Sequence, residues 1–191
     1  MLDTFAKWLL KRLGWHADLT LPEVDKYVLV GAPHTSNWDF PFAMLFFFST
    51  GLRFNWVGKH TLFVWPVSRL FRAMGGIPLN RNASGGFIEQ TVQLIKSSKA
   101  IILTIAPEGT RSRTECWRTG FYYIALQAKV PIALGYIDYD KKQLGIGSFF
   151  TPTGDIDKDL MIIQLFYQDK TGKHPENQGP IRFTRNEAAR R

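Results

Sequence analysis

Two short segments of this 191-residue chain carry side chains able to do chemistry. The first reads Pro33-His34-Thr35-Ser36-Asn37-Trp38-Asp39 and stands between an apolar run, Tyr27-Val28-Leu29-Val30, and a second one, "FPFAMLFFF". The other is Pro107-Glu108-Gly109-Thr110-Arg111-Ser112, directly after the apolar run Ala100–Ala106. A separation of five does not place His34 and Asp39 on one helix face. They meet if His34 lies in a loop and Asp39 in the first turn of a helix, because the chain bends back there. Asp39 then accepts from one ring nitrogen, which fixes the tautomer and raises the basicity of the other. Such a pair, with no protein nucleophile beside it, can deprotonate a substrate hydroxyl for attack on an acyl donor. A blander reading competes, in which Ser36 or Asn37 caps the helix and Asp39 favours its positive end. On spacing alone the blander reading is the stronger.

The second segment shifts that balance. Gly109 allows a tight turn, and Arg111 offers a planar fork suited to phosphate. Arg81, closing the stretch Gly76-Ile77-Pro78-Leu79-Asn80-Arg81, and Lys59 are further cations in loop-like positions. Any one of them alone reads as a solvated surface charge. Several at one sheet edge, beside a general base, suggest an acceptor carrying both a hydroxyl and a phosphate. Cys116 is the sole cysteine, which excludes an intrachain disulfide and a Cys-rich zinc site. As a rival nucleophile it carries no mark of a lowered pKa. His16, His60 and His174 lack ligand-like spacing, so no metal site and no resident cofactor are expected.

The elements that must position these residues follow from pattern. An apolar fraction of 45% with 21% charged residues is a globular composition, and the length suits one domain with a real core. A net charge of +8 points to a phosphate-bearing partner: nucleic acid, an anionic membrane surface or an anionic substrate. No RNP, KH or helix-turn-helix signature is present, so nucleic acid is not the expected partner. The greasiest window, residues 40–52, falls short of the roughly 18–20 residues needed to cross hydrocarbon. Lys7, Lys11 and Arg12 interrupt the first apolar residues, which argues against a signal peptide.

Residues 1–18 are expected to form an amphipathic helix, and residues 19–191 the domain. At 100° per residue, Leu2, Phe5, Leu9 and Leu13 share a face. Trp8 and Trp15 flank it on one side, Ala6 and Leu10 on the other, and Arg12 falls inside the apolar arc. That face either lies in a membrane interface or docks on the domain itself. Strands are expected at Tyr27–Gly31, Phe54–Gly58, "GGIPLNR", Ala100–Ala106 and "VPIALGYI". Helices are expected at about Asn37–Thr50, over Gly85–Ser98 and over Gly120–Lys129, and a helix or turn in "PVSRLFRAMG". This alternation predicts an α/β fold, an αβα layered single domain with a mostly parallel sheet. Sites in such folds gather in loops beyond the carboxyl ends of the strands, where both segments fall. The polar tail from Gln168 reads as loop, and its last residues as frayed.

Taken together, four ordered blocks resemble the 1-acylglycerol-3-phosphate acyltransferase family of glycerolipid acyltransferases. They are His34–Asp39 (His-x4-Asp), Gly76–Arg81, Glu108–Ser112 (Glu-Gly-Thr-Arg-Ser, matched in full) and Val130-Pro131-Ile132. The resemblance implies a glycerol-3-phosphate acyltransferase-like αβα fold on the cytoplasmic face of a membrane, bound peripherally. It implies transfer of a fatty acyl group from acyl-CoA or acyl carrier protein to a lysophospholipid hydroxyl. His34 would be the base and Asp39 its orienter. Arg111 would hold the acceptor phosphate with Arg81 and Lys59. Glu108 would position the acceptor or brace the loop, and Gly109 and Thr110 would complete the substrate-binding turn. Pro78 and Asn80 depart from the family's usual bulky residue and Asp, which points to an acceptor pocket of different shape. With no long embedded N-terminus, the first helix and the aromatics Trp56, Trp65 and Phe71 are the expected membrane contacts. The alternatives are another lysolipid or hydroxyl acceptor, or a non-catalytic basic module on a membrane surface.

Overall fold

The computed structural model describes residues 2–79 and 86–183. In chain order the elements are α1 (Leu2–Arg12), β1 (His16–Leu19), β2 (Lys26–Gly31), α2 (Asp39–Thr50), β3 (Asn55–Lys59), α3 (Ser68–Ala73), β4 (Gly76–Leu79) and α4 (Gly86–Ser97). They continue with β5 (Ile101–Ile105), α5 (Gly120–Ala128), β6 (Ile132–Asp138), β7 (Gln143–Phe150) and α6 (Ile156–Tyr167). The sheet has seven strands in the order β1-β7-β6-β2-β5-β3-β4. Neighbours from β6 through β2, β5 and β3 to β4 run parallel. β7 turns back antiparallel on β6, and β1 lies parallel to β7. The expected α/β class with a mostly parallel sheet is what forms.

The central strands are largely apolar along their length because both faces are covered. Side chains alternate across a strand, so Val28 and Val30 of β2 enter one core while Tyr27 and Leu29 enter the other. The first core, with Leu103, Ile132 and Leu134, is closed by α4, α5 and α6 through Val92, Ile95, Phe121, Ile124, Ile163 and Tyr167. The second, with Ile102, Ala133, Leu144 and Ile146, is closed by α2 through Phe46 and Phe47 and by α1 through Leu10. α2 is greasy nearly all round because it lies between the sheet and α1. It stops at Gly51, whose φ of 73° is the left-handed cap that glycine takes without strain.

Three elements were not expected. β1 and β7 extend the sheet beyond β6, and α6 covers it. β7 reads weakly in sequence because Gly145 and Gly147 interrupt its apolar pattern. The start of α6 was signalled: Asp155 caps it by accepting the Lys158 N–H, with Asp157 and Asp159 in the first turn. α1 divides the two readings of its face. Ala6 and Leu10 are buried against the domain, whereas Leu2, Phe5, Trp8 and Leu13 are exposed. Trp15 is not part of that exposed face. It is buried against Phe42 and Tyr139. No helix among the described residues is long and apolar enough to cross a membrane.

Candidate active site

β2, β5 and β6 are parallel neighbours and end at one edge of the sheet. β2 leads through Ala32 and Pro33 to His34, and the chain enters α2 at Asp39. His34 Nδ1 lies 2.9 Å from Asp39 Oδ2. The same oxygen accepts the backbone N–H groups of Thr35 and Ser36, each at 3.0 Å. Asp39 Oδ1 accepts the Tyr139 hydroxyl at 2.8 Å. The buried carboxylate is therefore compensated on both oxygens. An ionised carboxylate only accepts, so the shared proton belongs to Nδ1 and the Nε2 lone pair is left over. The imidazole is 28% exposed and lines a large cavity.

Ser36 and Asn37 do not cap α2. The residue before the helix is Trp38, with no side-chain cap. Ser36 Oγ instead accepts the Trp38 N–H at 3.2 Å, and Asn37 Oδ1 accepts from Arg111 Nη1 at 2.6 Å. Asp39 does sit in the first turn, at the positive end of the helix. The capping half of the blander reading is thus replaced by a link between the two segments.

β5 delivers the second segment. Glu108 Oε1 accepts the His34 N–H at 3.1 Å, which braces the histidine loop. Its other oxygen is buried with no hydrogen-bond partner among the described residues. Desolvation, above all, raises the Glu108 pKa above the ordinary carboxyl value. Gly109 has a φ of +67°, and a Cβ there would lie 2.8 Å from Arg118 Nε. The left-handed backbone calls for glycine, while the Arg118 side chain is the neighbour that would have to give way. Thr110 Oγ1 accepts the Ser112 N–H at 3.2 Å, and Thr110 and Arg111 line the cavity. Arg81 lies outside the described residues, as does the side chain of Lys59, whose backbone ends β3 beside Leu79.

The cavity encloses about 1050 Å³, at the upper end of the size of ligand pockets, roughly 300–1,000 Å³. His34, Asp39, Asn37, Thr110 and Arg111 are among its polar lining residues. Phe40, Phe46, Phe47, Phe54 and Trp56 form an aromatic wall, and Leu29, Gly31, Leu144 and Ile146 form a floor on the sheet. Cys116 is not among the lining residues. Trp56 and Phe71, expected as membrane contacts, belong to this wall. They are half-buried in an aromatic cluster with Phe63, and Trp56 Nε1 donates to the Met74 carbonyl at 2.9 Å. They turn inward because β3 and α3 present them to each other and to the cavity. Trp65, 87% exposed, is the one of the three that faces outward.

Sequence reasoning missed four contributors. Asn37 was read only as a candidate helix cap. Arg118 lies against Gly109, its N–H donated to the Pro107 carbonyl at 2.8 Å. Tyr139 reaches Asp39 across 100 positions. The tail, read only as loop, presses Gly172 against Thr35, and the His174 N–H donates to Thr35 Oγ1 at 3.1 Å. Asn37 alone carried a local signal, its place inside the block. The others are brought in by topology. The amides of His34, Thr35 and Ser36 are all engaged by Glu108 and Asp39, so oxyanion donors have to come from elsewhere. Among the described residues no group of three or more His, Cys, Asp or Glu side chains is arranged to hold a metal ion.

The chain is thus a layered α/β domain with an imidazole and a guanidinium at the polar part of a large, mostly apolar cleft. The Acyltransferase family model matches residues 14–134, more than half of the chain, and the chain belongs to that family: it is an acyltransferase. Among solved structures it is similar to the 1-acyl-sn-glycerophosphate (LPA) acyltransferase PlsC from Thermotoga maritima. The TM-score is 0.58 at 16% identity, over 90% of this chain and 80% of that one, a likeness of fold. No curated protein matches the sequence significantly.

Proposed function

We propose that the enzyme moves a fatty acyl group from an acyl thioester, acyl-CoA or acyl carrier protein, to the hydroxyl of a lysophosphatidate-like lysophospholipid. The observation that carries this reading is the 2.9 Å contact of His34 Nδ1 with Asp39 inside the cavity that Arg111 also lines. His34 Nε2 takes the proton of the acceptor hydroxyl as its oxygen attacks the thioester carbonyl carbon. The carbon–sulfur bond then breaks, and the imidazolium returns the proton to the leaving thiolate. A thioester is already a good electrophile, so a base and fixed positions suffice. Arg111 binds the acceptor phosphate, with Lys59 and Arg81 as further cations. The aromatic wall takes the acyl chain. Membership of the Acyltransferase family and the fold shared with a lysophosphatidate acyltransferase support the reading.

The same reading puts the protein peripherally on an anionic membrane surface. Leu2, Phe5, Trp8 and Leu13 form the inserted face of α1, and Trp65 is a second contact.

The test is transfer of labelled acyl groups to lysophosphatidate by wild type and His34→Ala, each with acyl-CoA and with acyl carrier protein donors. Product from wild type and a loss of at least roughly 10²-fold in the variant is the expected result. Equal product from both removes His34 as the base. No product from either removes lysophosphatidate as the acceptor, and a panel of lysolipids then identifies the acceptor.

A further inference from the structure

We propose that the Tyr139 hydroxyl is a positioning group for the His34–Asp39 pair, and that the N-terminal helix holds it in place through Trp15. The inference rests on the proposed role of His34 as base. Tyr139 follows the last residue of β6 and lies outside all four sequence blocks. Its hydroxyl is the donor to Asp39 Oδ1, at 2.8 Å, whereas Oδ2 takes His34, Thr35 and Ser36. Without that donor, Oδ1 of a buried carboxylate would have no partner among these groups. The carboxylate would then be held through Oδ2 alone, and its tilt relative to the imidazole would be less closely fixed.

The tyrosine is itself held from three sides. Its ring meets Trp15 edge-on at 5.2 Å and Phe42 at 5.8 Å, and its backbone N–H donates to the Thr171 carbonyl at 2.9 Å. Trp15 packs on Phe42 at 4.4 Å and is tied to the end of α1 by its N–H to the Leu10 carbonyl, 2.9 Å. A continuous set of packed groups thus runs from the helix with the exposed apolar face to the proposed base. Burial first, then the Asp39 charge, pushes the Tyr139 pKa well above the ordinary phenol value, so the hydroxyl stays a donor.

Other charged groups surround the pair. Glu108 accepts from the His34 amide, Arg111 is bound through Asn37, and the His174 N–H is on Thr35. Lys173 lies over Trp38 at 4.7 Å and over Tyr139 at 6.0 Å, and the flanking Asp138 pairs with Lys141. Asp140, on the other flank, is exposed. All of these remain in Tyr139→Phe, which also keeps the ring, so a change in titration reports the lost hydroxyl.

The experiment compares wild type, Tyr139→Phe and His34→Ala by kcat and KM across pH with acyl-CoA and lysophosphatidate. Nuclear magnetic resonance titration of labelled histidine runs beside it, the His34 signal being the one missing from His34→Ala. Removing a donor from Asp39 leaves more charge on the carboxylate to stabilise the imidazolium, so a higher pH is needed to free Nε2. In Tyr139→Phe, kcat is expected to fall about tenfold, with KM within about twofold. The acid limb and the His34 midpoint should both move up by about half a unit to one unit. Trp15→Leu should shift them the same way by less, and should add nothing in the Tyr139→Phe background. An undiminished Trp15→Leu shift in that background overturns the role of the helix. An unchanged kcat, acid limb and midpoint in Tyr139→Phe, with His34→Ala inactive, overturns the positioning role and leaves the base in place. An active His34→Ala overturns the base reading itself.

Discussion

The two loops that meet at the cleft are held in opposite ways. The amides of His34, Thr35 and Ser36, the Thr35 and Ser36 hydroxyls and both Asp39 oxygens all have partners, drawn from the loop itself and the start of α2, from the segments that follow β5 and β6, and from the tail. Arg111 is exposed, and among the described residues its side-chain bond is the one to Asn37. The difference matches the tasks proposed for them. Proton transfer needs a heavy-atom geometry fixed within tenths of an ångström, so the base is locked before substrate arrives. A guanidinium carries its own planar fork on a long stem, and it keeps its hydration until a phosphate replaces water. Order is therefore built where the chemistry needs it, and reach is kept where binding does.

The largest test of that contrast is Asp39→Asn. It keeps the shape and removes the charge, so turnover should fall by roughly 10²–10⁴-fold with little change in KM. Stability should also fall, by about 1–3 kcal/mol, because buried donors lose an ionised acceptor. Steady-state kinetics and denaturant melts read both, and a variant with wild-type turnover would show that the locked loop is only structural. Next in size is Arg111→Ala. Losing a charge-assisted bond worth about 1.5–3 kcal/mol should raise the KM for a phosphate-bearing acceptor by roughly 10–100-fold and spare stability. An unchanged KM would move the phosphate to other cations.

The smallest effect on chemistry belongs to a third region. Replacing Phe5 and Trp8 by Ser should weaken sedimentation with anionic vesicles at least roughly tenfold, since each large apolar side chain contributes about 1.5–3 kcal/mol on burial. Turnover of a short-chain, monomeric acceptor should stay near wild type. Undiminished vesicle binding would remove the exposed face of α1 from the interface.

Much of the framework was legible. The apolar runs that became β2 and β5 are continuous because both faces are covered, and each ends where a chemical segment begins. The periodicity of α1 and α4 was plain for a different reason: each helix carries one apolar and one polar face. β7 was not, since its glycines thin the pattern. The inward turn of Trp56 and Phe71 was not, since an aromatic residue near a surface strand reads alike whether it faces lipid or a cavity. Within the site, the His-x4-Asp spacing was ambiguous until Arg111 took Asn37 away from capping and Glu108 took the His34 amide.

The sequence by itself determined the layered class, the loops that carry chemistry and the family, because these rest on local periodicity and on residues close together in the chain. The tertiary structure alone decided which oxygen of Asp39 faces His34, what saturates the other, which flank of α1 is buried and what lines the cleft. Tyr139 and Asp39 stand 100 positions apart, and Arg111 and Asn37 stand 74 apart. Such contacts are set by the order of parallel strands in the sheet, and strand order leaves no mark in a local pattern.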